Sequence, residues 1–331
     1  MAFEDRANRT QIPFIPSAQS QVLPIGPNLT ILQGKLILSG TIVISGGTTN
    51  GTVSGEGGPI NLIKRVRIVG NPASGSPFPN GYLVDASARS LLRWAQEQHF
   101  GLFVGEQSGS VLGNGAAGAY NIYLAIPIYF RNLRGQTNSG LYADPSAYQS
   151  LQAQIVTGTS TDCFAGTDRN WAFNLQLQWQ DDRADIVPGS TAICLFQEDH
   201  LLPIGAANTR LNDNGMPTTG AFLTWLLMAE QNQPAYALSD AILNKVTVRG
   251  QTYYFEEFAQ DIRQKMYDDQ WLNPGANGAG LYHVDMSLGS LQNANPASGL
   301  LIELNVNNPS GTYLDQLRVF TRRYYTVQTG N

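Results

Sequence analysis

A nine-residue stretch of this chain is written twice. Leu62-Ile63-Lys64-Arg65-Val66-Arg67-Ile68-Val69-Gly70 lies over Ile242-Leu243-Asn244-Lys245-Val246-Thr247-Val248-Arg249-Gly250 without a gap. Apolar positions, a basic residue (Arg65, Lys245) and the closing glycine coincide. Each copy leads into a helical pattern, Asp85 to Gln98 in the first and Phe255 to Asp269 in the second, with Ala88 opposite Ala259 and Leu91 opposite Ile262. The first copy carries about nine extra residues between strand and helix, around Pro72 to Pro79, where a loop tolerates insertion. Self-similarity over a long period means that one architecture is built twice, so the fold has to be a tandem.

The rest of the pattern is mostly strand. Leu29 to Leu32, Leu36 to Leu38 and Thr41 to Ile44 are rich in β-branched and aliphatic residues. Ile122, Leu124, Ile126 and Ile128 share one parity, as do Trp171, Phe173, Leu175, Leu177 and Trp179, with Asn174, Gln176 and Gln178 between them. Alternation with one polar face is the mark of antiparallel, half-exposed sheet. A weaker helical pattern runs from Pro145 to Ile155. The order predicts further correspondences: Leu36–Ser45 with Phe222–Glu230, Tyr120–Phe130 with Tyr282–Leu288, Phe173–Trp179 with Leu300–Val306, and Ala192–His200 with Leu314–Tyr324. The expected organisation is an extended arm over 1–28, a first β-sandwich over 29–204, a linker over 205–218 and a second sandwich over 219–331. Prolines 13, 16, 24 and 27 keep the arm out of helix. It is either a disordered leader or an arm that orders only against neighbouring subunits, because anchors such as Phe14 and Ile15 need apolar surface.

Composition narrows the function. Only 14% of residues are charged, and the 49 Asn and Gln side chains outnumber the 45 charged ones. Amides desolvate at less cost than ions, which suits surfaces that pack against copies of themselves. A net charge of −5 argues against a protein whose main task is gripping nucleic acid. No apolar run reaches the ~20 residues of a membrane span. The start, with Glu4, Asp5, Arg6 and Arg9, lacks the apolar core of a signal peptide. Cys163 and Cys194 make no disulfide framework and lack metal spacing.

Several motifs imitate chemistry. Gly113-Asn114-Gly115-Ala116-Ala117-Gly118 matches a dinucleotide loop, but a strand follows it where a helix N-terminus is needed. His99, His200 and His283 have no second ligand at metal spacing. Asp181-Asp182, Glu256-Glu257 and Asp268-Asp269 are carboxylate pairs with structural roles at hand. Glu256 and Glu257 are expected in the first turn of a helix, and Asp181 and Asp182 where a strand closes into a loop. No catalytic constellation, cofactor site or metal site is expected, and the chain reads as a non-enzyme.

Two tandem antiparallel units, each with a helix after an early strand, an amide-rich surface and a Pro-punctuated arm resemble one family. The repeated strands Leu62–Gly70 and Ile242–Gly250 with their helices, and the closing strand Leu314–Tyr325, carry the likeness. The chain resembles the double jelly-roll major capsid proteins of tailless icosahedral viruses with an internal membrane, the lineage of PRD1-like phages and adenovirus hexon. The resemblance implies a mainly β fold of two tandem eight-stranded jelly rolls with short helices in the inter-strand loops. It also implies a bacteriophage coat protein that forms homotrimers, pseudo-hexagonal tiles and an icosahedral virion shell assembled in the host cytoplasm. Implied partners are its own copies, minor capsid and penton proteins, and lipids of an internal membrane. Direct nucleic-acid binding is not expected, since Glu4 and Asp5 balance Arg6 and Arg9 in the arm. Inner-face contacts are expected from Arg6, Arg9, Phe14 and Ile15. Arg318, Arg322 and Arg323 either join them by facing anionic headgroups or pair with carboxylates across the sheet.

Two other readings stay open. One is a tandem β-sandwich lectin or receptor-binding spike; the other is a jelly-roll glycosidase or lyase using one of the carboxylate pairs.

Overall fold

In the computed structural model the described residues are 3–4, 10–25, 30–53, 58–72, 74, 81–98, 106–108, 115–130, 148–184, 191–205, 209–213, 221–232, 237–249, 254–268, 279–285, 301–309, 311 and 314–328. The chain divides into two units: unit 1 comprises 1–96, 103–195 and 326–331, and unit 2 comprises 97–102 and 196–325.

Unit 1 is built from β1 (Thr10–Pro13), β2 (Gln21–Ile25), β3 (Thr30–Ser45), β4 (Ile63–Pro72), β5 (Gly81–Ala86), α1 (Ala88–Gln98), β6 (Gly118–Tyr129), β7 (Tyr148–Thr157) and β8 (Asn170–Ala184). One sheet has the order β1-β8-β3-β6, and a second set of ladders runs β5-β4-β7-β2, all antiparallel. Alternate residues carry the core, as the period-2 pattern requires: Leu36, Leu38, Ile42 and Ile44 on β3, Leu175, Leu177 and Trp179 on β8, Val66 and Ile68 on β4, and Ala153 and Ile155 on β7. Gly34 is what lets Trp179 lie flat in this core, because a Cβ there would sit 2.2 Å from the indole. The repeated Gly70 has a similar cause, with the Tyr148 ring 2.5 Å from where its Cβ would be.

Strand β9 (Thr191–Ile204) begins in unit 1 and continues in unit 2. β10 (Arg210–Asn212), β11 (Ala221–Gln231), β12 (Leu243–Arg249), β13 (Tyr254–Phe258), α2 (Ala259–Asp268), β14 (Leu281–Asp285), β15 (Leu301–Val306) and β16 (Asp315–Gln328) follow. Their ladders are β9-β16-β11-β14 and β13-β12-β15-β10. Within these ladders each strand therefore has the same neighbours as the strand eight earlier in the chain. Trp225, Leu227, Tyr282, Val284, Val246, Ile302, Leu304, Leu317 and Val319 form one apolar cluster, with Ala259 and Ile262 of α2 packed into it. Eight antiparallel strands ordered 1-8-3-6 and 5-4-7-2, twice over, make a double jelly roll.

The repeat holds at atomic detail. Val66 pairs with Ala86 and Ile155, and Val246 pairs with Glu257 and Leu304. One residue away, Arg65 bridges to Asp85 in unit 1 and Lys245 bridges to Glu256 in unit 2. Gly158 N–H donates to Leu62 O at 2.8 Å, and Asn307 N–H donates to Ile242 O at 2.7 Å.

Four expectations need correction. Residues 145–155 hold no described helix, because Tyr148–Thr157 is strand β7. Leu151 and Ile155 are four apart and suit either period; buried Ala153 between them selects period 2. That misreading slipped the later correspondences by one strand. Leu301–Val306 answers β7 rather than Phe173–Trp179, β8 answers β16, and 192–200 belongs to the first strand of the second roll. The boundaries shift too: the supposed arm supplies β1 and β2 of the first roll, and the supposed linker 205–218 contains β10. Finally, Glu256 and Glu257 lie on β13 ahead of the helix, and Asp181 and Asp182 lie within β8.

Candidate functional site

Residues 10–25 are bound into their own unit. β1 pairs with Gln176–Trp179 of β8, and β2 pairs with Leu151–Ile155 of β7. Phe14 between them is buried, its N–H donating to Leu175 O at 2.9 Å and its ring edge-on to Phe173 at 5.6 Å. Gln21 braces the turn, accepting from Ile15 N–H at 2.9 Å and donating to Pro13 O at 2.7 Å. Thr157 closes it by donating to Ile15 O and accepting from Ala18 N–H. This stretch thus orders without a neighbouring subunit: the anchors an arm would offer to another copy find apolar surface on β8. Ile15 alone of the expected contacts here stays in water, at 57% exposure. Arg6 and Arg9 lie outside the described residues.

The three arginines near the C-terminus are inside unit 2, and Arg318 and Arg323 have carboxylates across the sheet. Arg318 donates to Glu230 at 3.0 Å and meets Asp199 at 3.5 Å; Gln316 also donates to Glu230. Burial alone would lower the Arg318 pKa, yet Glu230 and Asp199 outweigh it and hold the guanidinium above its ordinary value. Arg323 pairs with Glu198 at 2.9 Å and lies over the Phe196 ring. Arg322 is fully buried. A charge so enclosed cannot meet a headgroup, which corrects the lipid-facing alternative for these residues.

The remaining titratable candidates are also engaged. Asp181 accepts from Trp179 Nε1 at 2.8 Å, and Asp182 accepts from Gln33. Glu256 pairs with Lys245 and Glu257 with Lys265. His200 Nε2 sits 2.9 Å from both oxygens of buried Asp213. The Cys163 thiol is buried, and desolvation pushes its pKa up, away from nucleophilic character. Among the described residues no cluster of three or more His, Cys, Asp or Glu could hold a metal, and no helix is long and apolar enough to cross a membrane. His99 and Asp269, and the side chain of Cys194, fall outside the described residues.

One concave feature was not anticipated. In unit 2 a cleft of about 490 Å³ is lined by Asp240, Leu243, Asn244, Phe258, Ala259, Gln260, Arg263 and Tyr282. Asp240 accepts from Gly280 N–H at 2.7 Å and from the Tyr282 hydroxyl at 3.3 Å, and it pairs with Arg263. Arg263 also donates to the Tyr267 hydroxyl at 3.1 Å. Burial would lower its pKa, but Tyr267 and Asp240 raise it overall. A sequence signal did exist: in the repeat register Asp240 stands where unit 1 has Ile60, and Arg263 stands where unit 1 has Leu92.

Two complete jelly rolls in one chain define the fold class, and solved structures of similar fold include major capsid proteins. The chain superposes on the crystal structure of the major capsid protein of Sulfolobus Turreted Icosahedral Virus with a TM-score of 0.71, 11% identity, and coverage of 98% of this chain and 97% of that one. The Faustovirus major capsid protein gives 0.60 at 7% identity, covering 99% and 91%. The major capsid protein P2 of bacteriophage PM2 gives 0.54 at 9% identity, covering 98% and 99%. No family model and no curated protein matches the chain.

Proposed function

We propose that the chain is the major coat subunit of an icosahedral virus. The observation that carries this reading is the end-to-end likeness, 98% of this chain on 97% of a capsid protein, over a strand order that repeats without omission. A tandem of two like rolls gives one subunit two similar walls, and three subunits then give six, a tile that packs pseudo-hexagonally. Homotrimers, a shell over an internal membrane, a bacteriophage source, minor and penton partners, assembly in the host cytoplasm and the absence of an enzymatic role belong to the same proposal. Low charge and abundant amides favour it, since they keep desolvation modest over a large self-contact. Ile15 and Val22, exposed on the β1–β2 segment, are the apolar contacts it offers to a neighbour. Light scattering of the purified chain should show three subunits per particle, and electron microscopy should show closed shells under assembly conditions. A monodisperse monomer at micromolar concentration that forms no shell would overturn the proposal.

A further inference from the structure

The unit 2 cleft lies at a corner that unit 1 closes with apolar residues. The register is secure there, because the strand pairing, the Arg65–Asp85 and Lys245–Glu256 bridges and the Leu62 and Ile242 carbonyl bonds coincide. Ile60 and Leu92 of unit 1 are buried, and Ser87 occupies the place of Phe258. Unit 2 has instead Asp240, Arg263 and a phenyl ring left 60% exposed. Packing does not ask for this exchange, because the Asp240–Arg263 pair is partly exposed, with Asp240 at 45%, and such a pair adds little stability. A large exposed aromatic beside converging polar groups is what a ligand pocket presents.

We propose that this cleft binds a neutral saccharide. Its ionic charges cancel, Asp240 against Arg263, so the cleft offers no net charge to an ionic ligand. The groups left to a ligand are the Gln260 amide, able to donate and to accept as a sugar hydroxyl does, and the Asn244 Nδ2 donor, the Asn244 Oδ1 accepting from Asn307 at 3.0 Å. Phe258 supplies a flat apolar surface for the C–H face of a pyranose, and Lys245 lies over its ring at 5.4 Å from the centroid. The volume suits one or two sugar rings. This activity is independent of assembly.

Saturation-transfer NMR on the full chain tests it, with methyl α-D-glucopyranoside, methyl β-D-galactopyranoside and N-acetyl-D-glucosamine as probes. At least one should give a saturable signal. Phe258→Ser, which installs the unit 1 residue at an exposed position, should weaken that binding at least tenfold with the melting curve unchanged. The double variant Asp240→Ile with Arg263→Leu, which transplants the unit 1 pair, should do the same, with a lower melting temperature because Gly280 N–H and the Tyr282 hydroxyl lose their acceptor. Saturable binding that survives both variants, or none with any of the three probes, would overturn the proposal. So would tighter binding of the anionic N-acetylneuraminic acid than of the neutral sugars.

Discussion

Three residues ahead of β4 stands Ile60, and three residues ahead of β12 stands Asp240; the fifth residue of α1 is Leu92, and the fifth of α2 is Arg263. The backbone around them is the same twice, down to a repeated cross-strand bridge and a repeated carbonyl bond. The side chains differ in kind. Unit 1 keeps its ion pairs partly exposed, with Asp181 buried but bonded to Trp179: Arg65 and Arg67 share Asp85, Lys64 meets Asp162, and Arg169 sits among the carbonyls of residues 46–48. Unit 2 puts Arg318, Glu230 and Asp199 in its interior. A jelly roll is thus specified by alternation and strand order, while the placement of charge is free to diverge between copies.

The largest expected effect comes from the buried charges. Glu230→Ala leaves Arg318 with only the 3.5 Å contact to Asp199 and should cost about 3–5 kcal/mol in urea denaturation. Arg318→Met with Glu230→Leu should recover most of that loss. If the single variant costs under about 1 kcal/mol, the interior charges of unit 2 are no more structural than surface pairs.

Phe14→Ala comes next. Removing a buried aromatic packed on Phe173 should cost about 3 kcal/mol. Hydrogen exchange should accelerate across β1 and β2 and leave β9 and β10, their counterparts, unchanged. Equal acceleration in both units would mean that the rolls unfold as one.

The repeat, the strand-rich class and the helix after β5 and β13 were legible because each rests on a local pattern with one period. What escaped the sequence has physical causes. Pro13 and Pro24 read as breakers, yet they occupy outer strands of their sheets, where a missing N–H costs no ladder bond. Leu151 and Ile155 fit two periods at once, and one wrong choice displaced every later match. Whether Arg318 and Arg323 face lipid or carboxylate depends on Glu198, Asp199 and Glu230, which are distant in sequence and adjacent only through strand pairing. The cleft's exchange of Ile60 for Asp240 and Leu92 for Arg263 was visible in the aligned repeat, but its meaning depended on which positions are buried.

The duplicated bridge gives a smaller, sharper test. Asp85 accepts from both Arg65 and Arg67, the latter at 3.1 Å, whereas Glu256 pairs with Lys245. Arg65 also donates to the Asp85 carbonyl at 2.8 Å. Double-mutant cycles to alanine should give a coupling of about 1 kcal/mol for Arg65 with Asp85 and about half that for Lys245 with Glu256. The reverse order would show that the cation–π contact of Lys245 with Phe258 matters more than the carboxylate geometry.

The smallest effect lies in the turn after β3. Asp168 accepts from Thr48 N–H at 3.0 Å and from Thr49 N–H at 2.7 Å, and these backbone donors hold its pKa below the ordinary 3.8. A carboxylate with a lowered folded pKa stabilises most above its unfolded value, and that contribution disappears as pH falls through the folded one. Protection of the Thr48 and Thr49 amides should therefore be constant from neutral pH down to the ordinary carboxylate range and fall away below it. In Asp168→Asn the acid step should vanish, with the amides faster at every pH. The Arg169 guanidinium donates to Gly46 O at 2.7 Å and to Asn50 Oδ1 at 2.9 Å without involving Asp168, so the turn should loosen at Thr48 and Thr49 before it opens at Gly46. Simultaneous loss at all these sites would mean that the turn melts with the sheet and that Asp168 is not its local clamp.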